Sequence, residues 1–210
     1  MNADKITKLI LEKIRQLSTK QKFSWEEFND FNFVVDQREY LDKTLKILGE
    51  GSARKVYLLN SKKVLKCAKN DKGLAQNASE IELSNSKYRH LFANVIDFDS
   101  KDKLWIVSEL VRAVESEEEM ARLINYKGDP IDALYEMFAN KKNHTKLCDY
   151  NKFLCDIYKL ALDKKMYTPD ITEIMHYGVT PDQRVVLLDY GLTNEISKEQ
   201  FLKFTQKFEQ

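Results

Sequence analysis

The spacing of apolar positions changes character twice along the chain. Over residues 4–18 and 24–31, apolar side chains recur at three- and four-residue intervals, which is typical of helices that bury one face. Ser24, with Glu27 three residues later, matches a capping box at the start of the second helix. Aromatic side chains here are expected to pack this region onto the rest of the protein, with an exposed partner-binding surface as the alternative: Trp25, Phe28, Phe31 and Phe33.

From Thr44 the pattern becomes that of short strands. Apolar runs are separated by glycines or polar turns, and a helical pattern over 74–90 interrupts them. The predicted strands lie near residues 45–47, 56–59, 64–68, 92–98 and 104–111. The order is therefore three strands, one helix and two strands.

After residue 112 the chain becomes mainly helical. The helix that begins at Ser116 has acidic residues in its first turn, where they suit the helix dipole. Further helices are predicted over 130–140, 149–164 and 197–208, with a loop at 167–173 and short strands near 177–179 and 184–188. No internal repeat and no low-complexity segment is present in the sequence.

The charge balance excludes some classes of function. Lys and Arg number 34 and Asp and Glu 33, so the net charge of +1 argues against nucleic acid or a membrane surface as a partner. No apolar stretch reaches the roughly 20 residues needed to span a bilayer. The N-terminus carries charges within its apolar pattern, unlike a signal peptide. The predicted location is the cytoplasm.

The three cysteines do not form a metal-binding motif, because no Cys-x-x-Cys or Cys/His cluster is present. Cys67 lies in a strand-like run. Cys148 and Cys155 are seven residues apart in a helical pattern and are expected on one helix face. All three are predicted to be buried thiols in a reducing compartment.

Glycines are concentrated where a phosphate site would need them. Gly49 and Gly51 lie between two predicted strands, and glycines there allow the backbone to approach a triphosphate closely. Val56, which begins the next strand, would cover a nucleotide base. An ordinary glycine hairpin is the alternative for this loop.

Lys66 ends the run Val64-Leu65-Lys66 within the third predicted strand, which is otherwise apolar. A lysine in a core is costly unless it is paired, and a phosphate together with a carboxylate from the following helix would pair it. Glu80 and Glu82 are both candidates, but residues two apart cannot face the same way on a helix; Glu80 is favoured. A solvent-facing Lys66 is the alternative, and Lys69 is the rival cation.

Four motifs in this order resemble those of the protein-kinase-like fold, over residues 44–192. The segment 48–56 resembles the glycine-rich loop, with Arg54 where a third glycine is usual. Val64-Leu65-Lys66 resembles the end of the VAIK motif, and 106–111 resembles the strand that leads into the adenine-binding hinge. Asp189-Tyr190-Gly191 resembles the DFG motif.

The resemblance implies an α+β, two-lobed fold. An N-terminal antiparallel sheet with one helix would form one lobe over residues 44–112. A reduced helical lobe would cover 113–210, and extra N-terminal helices would cover 1–43. ATP and Mg²⁺ would bind between the lobes as cofactors. Residues with implied roles are Glu109 and Val111 at adenine, Lys66 at the phosphates and Asp189 at the magnesium ion.

The catalytic loop departs from the family pattern H-R-D-x-x-x-x-N. Thr168-Pro169-Asp170 stands where H-R-D would, and no asparagine follows at the family spacing. His176 precedes Asp189 by thirteen residues, the family's spacing from asparagine to DFG. Asp170 would then be the catalytic base and His176 a metal ligand, although imidazole suits magnesium less well than oxygen. A packed His176 and a turn-forming Asp170 are the alternatives, with Glu173 as a further acid.

The sequence leaves three functional hypotheses. The first is an ATP- and magnesium-dependent phosphotransferase that acts on a hydroxyl group of a protein or small molecule. The second is a pseudokinase, a nucleotide-binding or interaction module without turnover. The missing asparagine favours the second, and the absence of an A-P-E motif after Gly191 fits either a minimal phosphotransferase or a kinase-like protein that has lost that role. The retention of Lys66, Asp170 and Asp189 together favours the first, and a structural protein that binds no nucleotide would leave these three residues unexplained.

Overall fold

Two helices precede the first strand in the computed structural model, which describes residues 22–31, 34–139 and 148–188. Helix α1 (Trp25–Asp30) begins at Ser24, whose hydroxyl accepts a hydrogen bond from the Glu27 N–H at 3.4 Å, as the capping box predicts. Helix α2 (Val34–Thr44) was not expected from the apolar spacing. The predicted helices over 4–18 and 197–208 lie outside the described residues.

Five strands form an antiparallel sheet within the described chain. They are β1 (Lys46–Glu50), β2 (Arg54–Asn60), β3 (Lys63–Ala68), β4 (Val95–Phe98) and β5 (Trp105–Glu109). Their spatial order is β1-β2-β3-β5-β4, and α3 (Asp71–Ser84) lies between β3 and β4 in sequence. The predicted α+β fold, with an N-terminal antiparallel sheet and one helix, is confirmed.

Helix α3 ends six residues before the predicted boundary at residue 90. Polar side chains at its C-terminal end form hydrogen bonds with the backbone of the last turn. Ser84 and Asn85 both donate to the carbonyl of Ile81, and Ser86 donates to that of Leu83. Such local bonds compete with continuation of the helix. A 3₁₀ turn at Arg89–Leu91 follows.

The remaining described chain is helical apart from a small second sheet. It contains α4 (Glu117–Leu123), α5 (Pro130–Ala139), α6 (Lys152–Asp163) and the one-turn helix α7 (Thr168–Ile171), with a 3₁₀ turn at Ile174–His176. The strands β6 (Arg112–Ala113), β7 (Tyr177–Val179) and β8 (Val185–Leu187) pair in the order β6-β7-β8. The division of the chain after residues 43 and 112 remains a prediction.

Helices α1 and α2 cover one face of the five-stranded sheet. Phe28 and Leu41 are fully buried in a cluster that includes Tyr57, Leu65 and Val107 from the strands. Trp25 and Phe31 pack against the same cluster, so the expected packing role of these aromatic residues is met, and Phe33 lies outside the described residues. The opposite face of the sheet is therefore the one available for a binding site.

The predicted state of two cysteines was wrong. Cys148 and Cys155 form a disulfide, with their Cα atoms 4.7 Å apart. Seven residues on one continuous helix would span about 10 Å. Asn151 instead begins α6 as its N-cap, accepting a hydrogen bond from the Leu154 N–H, and the break brings the two sulfurs together. Cys67 is a free, buried thiol, as predicted.

Candidate functional site

A cleft of about 400 Å³ opens on the face of the sheet that the N-terminal helices leave uncovered. One end is mainly apolar and the other carries basic side chains, a division that matches the two halves of a nucleotide. The mainly apolar end is lined by Leu48, Val56, Val64, Ala93, Ser108, Glu109, Leu110 and Val111. The charged end is lined by Gly51, Ser52, Ala53, Arg54, Lys66, Lys72, Gln76, His176 and Leu188.

Lys66 and Glu80 form a buried ion pair at the charged end. The Lys66 Nζ atom lies 2.9 Å from Glu80 Oε2, and the Glu80 side chain is 0% exposed. Glu82, the other candidate, points to solvent on the same helix and pairs with Lys164 at 2.6 Å. Because Glu80 and Glu82 are two positions apart on a helix, they face different ways, and only Glu80 can be the buried partner of Lys66.

A second cation, Arg54, shares the same carboxylate. Its Nη1 atom lies 2.5 Å from Glu80 Oε1, so the two oxygens of Glu80 hold two different basic side chains. Arg54 is only 7% exposed and lines the cleft. From the sequence, Arg54 stands out only as a departure from the glycine-rich pattern. Its positive charge in a predicted phosphate-binding loop is the feature that could have identified it as a site residue.

Lys66 also contacts the far end of the described chain. Its Nζ donates to the carbonyl of Leu188 at 2.9 Å, and the Leu188 N–H donates to the carbonyl of His176 at 2.8 Å. The strand that carries Lys66 and the turn that carries His176 are therefore joined through one residue. Asp189, the predicted magnesium ligand, follows directly and lies outside the described residues.

The glycine turn is fastened to the residues that precede α3. The carbonyls of Gly51, Ser52 and Ala53 accept hydrogen bonds from Lys69 Nζ, Asn70 Nδ2 and the Lys69 N–H at 3.0, 3.0 and 2.7 Å. In a trans peptide the N–H points opposite to the preceding carbonyl. The N–H groups of Ser52 and Ala53 therefore face away from Lys69 and Asn70, and successive N–H groups of this kind can bind an anion.

The two predicted glycines differ in position. Gly51 lines the cleft, whereas Gly49 pairs with Val56 in the sheet and has open space where a side chain would be. The rival cation Lys69 binds Glu50 at 2.5 Å, which holds the loop rather than the interior of the cleft. Val56 lines the apolar end, as a residue that covers a base would.

The segment after β5 offers backbone groups to a ligand. The Glu109 carboxylate turns to the side chain of Asn94, at 3.1 Å, so its side chain is not directed at a base. Val114 N–H donates to the Tyr177 carbonyl, and bonds in an antiparallel ladder involve alternate residues. Val111 precedes Val114 by an odd number of positions, so it does not bond to β7 and its N–H faces away from that strand.

The segment 168–176 is held at Ile171 and at His176. The buried Tyr177 hydroxyl donates to the carbonyl of Ile171 at 2.7 Å. Asp170 lies in α7, a helical turn where a loop was expected, and its side chain lies outside what the structure describes. His176 lines the cleft, and its Nε2 atom lies 3.4 Å from a carboxylate oxygen of Glu173.

A magnesium site is not assembled by the described residues alone. Within residues 22–31, 34–139 and 148–188, no three acidic, histidine or cysteine side chains gather around a common point. His176 and Glu173 supply one nitrogen and one carboxylate near the charged end of the cleft. The fit of a metal therefore depends on Asp189, which lies beyond Leu188.

No protein-family model matches the chain. No curated protein matches it either. Among solved structures, the chain is similar to the ADP-bound aminoglycoside phosphotransferase APH(2'')-Ib, at 16% identity and a TM-score of 0.37, over 76% of this chain and 71% of the other. It is similar to SAICAR synthase from Saccharomyces cerevisiae in complex with SAICAR, at 12% identity and a TM-score of 0.38, over 72% and 74%.

A third similar structure is the GDP complex of aminoglycoside 2'-phosphotransferase IIIa, at 16% identity and a TM-score of 0.36, over 73% and 69% of the two chains. Likeness at these identities and TM-scores carries no argument about ligand or activity. The kinase-like architecture follows from the chain's own strand order, with α3 placing Glu80 behind Lys66.

Proposed function

We propose that the chain is an ATP- and magnesium-dependent phosphotransferase of minimal kinase-like fold. The observation that supports this most is the buried Lys66–Glu80 pair, whose lysine also donates a hydrogen bond to the carbonyl of Leu188, the residue before Asp189. A buried lysine held by a carboxylate at the charged end of a cleft is placed to contact phosphate oxygens.

The two ends of the cleft suit the two halves of ATP. The adenine would lie between the apolar residues Leu48, Val56 and Val64, with the Val111 N–H as a donor to a ring nitrogen. The triphosphate would meet Lys66, Arg54 and the backbone N–H groups of the glycine turn. Fixed donors of this kind stabilise phosphate charge without rearranging during the reaction.

Two acids complete the proposed chemistry. Asp189 would hold magnesium, which neutralises phosphate charge when it is bound, and His176 would be the second ligand. Asp170 would orient or deprotonate the acceptor hydroxyl. The acceptor itself, whether a protein side chain or a small molecule, is the unassigned partner.

A pseudokinase is the second candidate, and one contact favours it. His176 stands where the resemblance would place a metal-binding asparagine, and it contacts Glu173 at 3.4 Å. A histidine engaged by its own loop would leave one magnesium ion without a ligand. Nucleotide would then bind without phosphoryl transfer.

Calorimetry with ATP and magnesium tests the proposal, followed by an assay of phosphate transfer. Asp189→Asn should weaken Mg-ATP binding far more than metal-free ATP binding, because a carboxylate acts on phosphate through the cation. Equal losses in the two titrations would remove Asp189 from the metal. No binding of millimolar ATP by the wild type would exclude both the enzyme and the nucleotide-binding pseudokinase.

The cytoplasmic location remains a prediction, and the disulfide weakens the part of it that rested on free cysteines. Among the described helices, none is both long and apolar enough to cross a bilayer. The expected absence of nucleic-acid and membrane partners also remains a prediction from the charge balance.

A further inference from the structure

Ser108 carries a buried hydroxyl that the folded protein leaves unsatisfied. The residue is 2% exposed, and its Oγ atom has no hydrogen-bond partner among the described residues. Buried hydroxyls are normally paired, because an unpaired one loses its bonds to water without compensation. An exception inside a cleft points to a ligand that supplies the missing bond.

The strand geometry shows where this hydroxyl points. Ser108 lies on β5 opposite Val64, and side chains of directly opposed residues lie on the same face of a sheet. Val107 packs into the aromatic cluster on the other face, as the alternation along a strand requires. Ser108 and Val64 both line the cleft, at its apolar end.

We infer that Ser108 recognises the exocyclic group at C6 of a purine base, an inference that rests on the proposed nucleotide function. Ser108 lies three positions before Val111, whose N–H would contact the ring nitrogen N1. The only polar group adjacent to N1 in adenine is the 6-amino group, a donor, and a serine oxygen can accept from it. Without this contact the hydroxyl would stay buried and unpaired.

The Val111 contact would select adenine over guanine, whereas the Ser108 hydroxyl, which can donate or accept, can pair with the group at C6 of either base. Val111 N–H is a donor and requires an acceptor at N1, which adenine has. Guanine carries a hydrogen on N1, so two donors would face each other. Ser108 and Val111 together therefore match the donor and acceptor pattern of adenine.

The test compares ATP with purine riboside triphosphate, which lacks only the 6-amino group. Wild type should bind ATP roughly five- to ten-fold more tightly than the analogue, the value of one neutral hydrogen bond. Ser108→Ala should reduce this preference to about two-fold or less. Ser108→Thr, which keeps a hydroxyl, should retain it, and Ser100→Ala in an exposed turn serves as the matched control.

A second readout separates ligand contact from a structural role. Because alanine removes an unsatisfied polar group, Ser108→Ala without ligand should melt at the wild-type temperature or a few degrees above it. A preference for ATP that survives in Ser108→Ala, or a wild type that binds the two nucleotides equally, would overturn the inference and leave the proposed function standing. A wild type that binds neither would overturn both.

Discussion

Lys66 donates a hydrogen bond to the carbonyl of Leu188, a residue 122 positions later in the sequence. The bond joins the middle of β3 to the residue that follows β8. Since Lys66 also contacts Glu80, one ammonium group connects the sheet, α3 and the residue that precedes Asp189. The charged end of the cleft is thus organised around a single lysine.

Replacement of this lysine should abolish tight nucleotide binding. Lys66→Met is expected to weaken ATP binding roughly ten-fold or more, because it removes a charge-assisted contact to phosphate. Lys63→Met, on the same strand but outside the cleft lining, should change the affinity less than about two-fold. Calorimetric titration of both variants measures the difference, and similar losses in the two would contradict a specific role for Lys66.

The two glutamates of α3 provide a matched pair for stability. Glu80→Gln leaves Arg54 and Lys66 as buried cations without their shared carboxylate, and should lower the free energy of unfolding by about 3 kcal/mol. Glu82→Gln breaks only an exposed pair with Lys164 and should cost less than about 1 kcal/mol. Chemical denaturation of the ligand-free protein measures both. Equal costs would mean that burial does not distinguish the two pairs.

Gly73 should tolerate no side chain. A Cβ there would lie 2.3 Å from the carbonyl oxygen of Ala53, so Gly73→Ala is expected to destabilise the protein by about 2 kcal/mol or more. Gly49→Ala meets open space and should change stability by less than about 1 kcal/mol. Thermal unfolding of the two variants decides between these expectations. A harmless Gly73→Ala would show that α3 can move away from the loop.

Substitution of Asp170 distinguishes the enzyme hypothesis from the pseudokinase hypothesis. If it orients the acceptor hydroxyl, Asp170→Ala should leave ATP affinity within a few-fold and reduce turnover roughly 100-fold or more. His176→Asn should preserve or raise activity, since an amide oxygen suits magnesium better than imidazole. Phosphate transfer by wild type and both variants is the measurement. Unchanged turnover in Asp170→Ala would exclude it as the base, and an inactive wild type that binds ATP would favour the pseudokinase.

Thiol counting tests the disulfide. Burial raises the pKa of the Cys67 thiol to about 12, so no cysteine of the native, unreduced protein should react with iodoacetamide at neutral pH. Unfolding without reductant should expose only Cys67, and unfolding with reductant should expose all three cysteines. Mass spectrometry of the alkylated chain gives the count. Three reactive thiols without reductant would restore the expectation of free Cys148 and Cys155.

The sheet and its helix could be predicted from the sequence because their signals are local. Apolar runs broken by glycines and polar turns define strands, and Ser24 and Ser116 define the starts of two helices. Helix α2 gave no comparable signal: among its described side chains, from Val35 to Thr44, the buried ones are Tyr40 and Leu41, which are adjacent rather than spaced along one face. Packing against the sheet holds it in place, and a sequence pattern does not report such contacts.

In the candidate site, too, the residues with a local signal could be predicted and those defined by tertiary contacts could not. Lys66 could be found because a lysine in an apolar strand is unusual in itself. Arg54 and Ser108 could not, since an arginine in a polar turn and a serine before a hinge are ordinary until Glu80 and the cleft are placed beside them. The contact that gives Arg54 its place in the site joins residues 26 positions apart, Arg54 and Glu80.

The close approach of Gly73 to Ala53 makes the glycine turn and α3 a single mechanical unit. With the turn's carbonyls also held by Lys69 and Asn70, the loop has no hinge of its own on that side. A ligand that draws the loop inward would carry the start of α3 with it and shift Glu80 along the same path. Occupancy of the cleft would then be transmitted along the length of the helix to its far end, where Glu82 meets Lys164 on the surface.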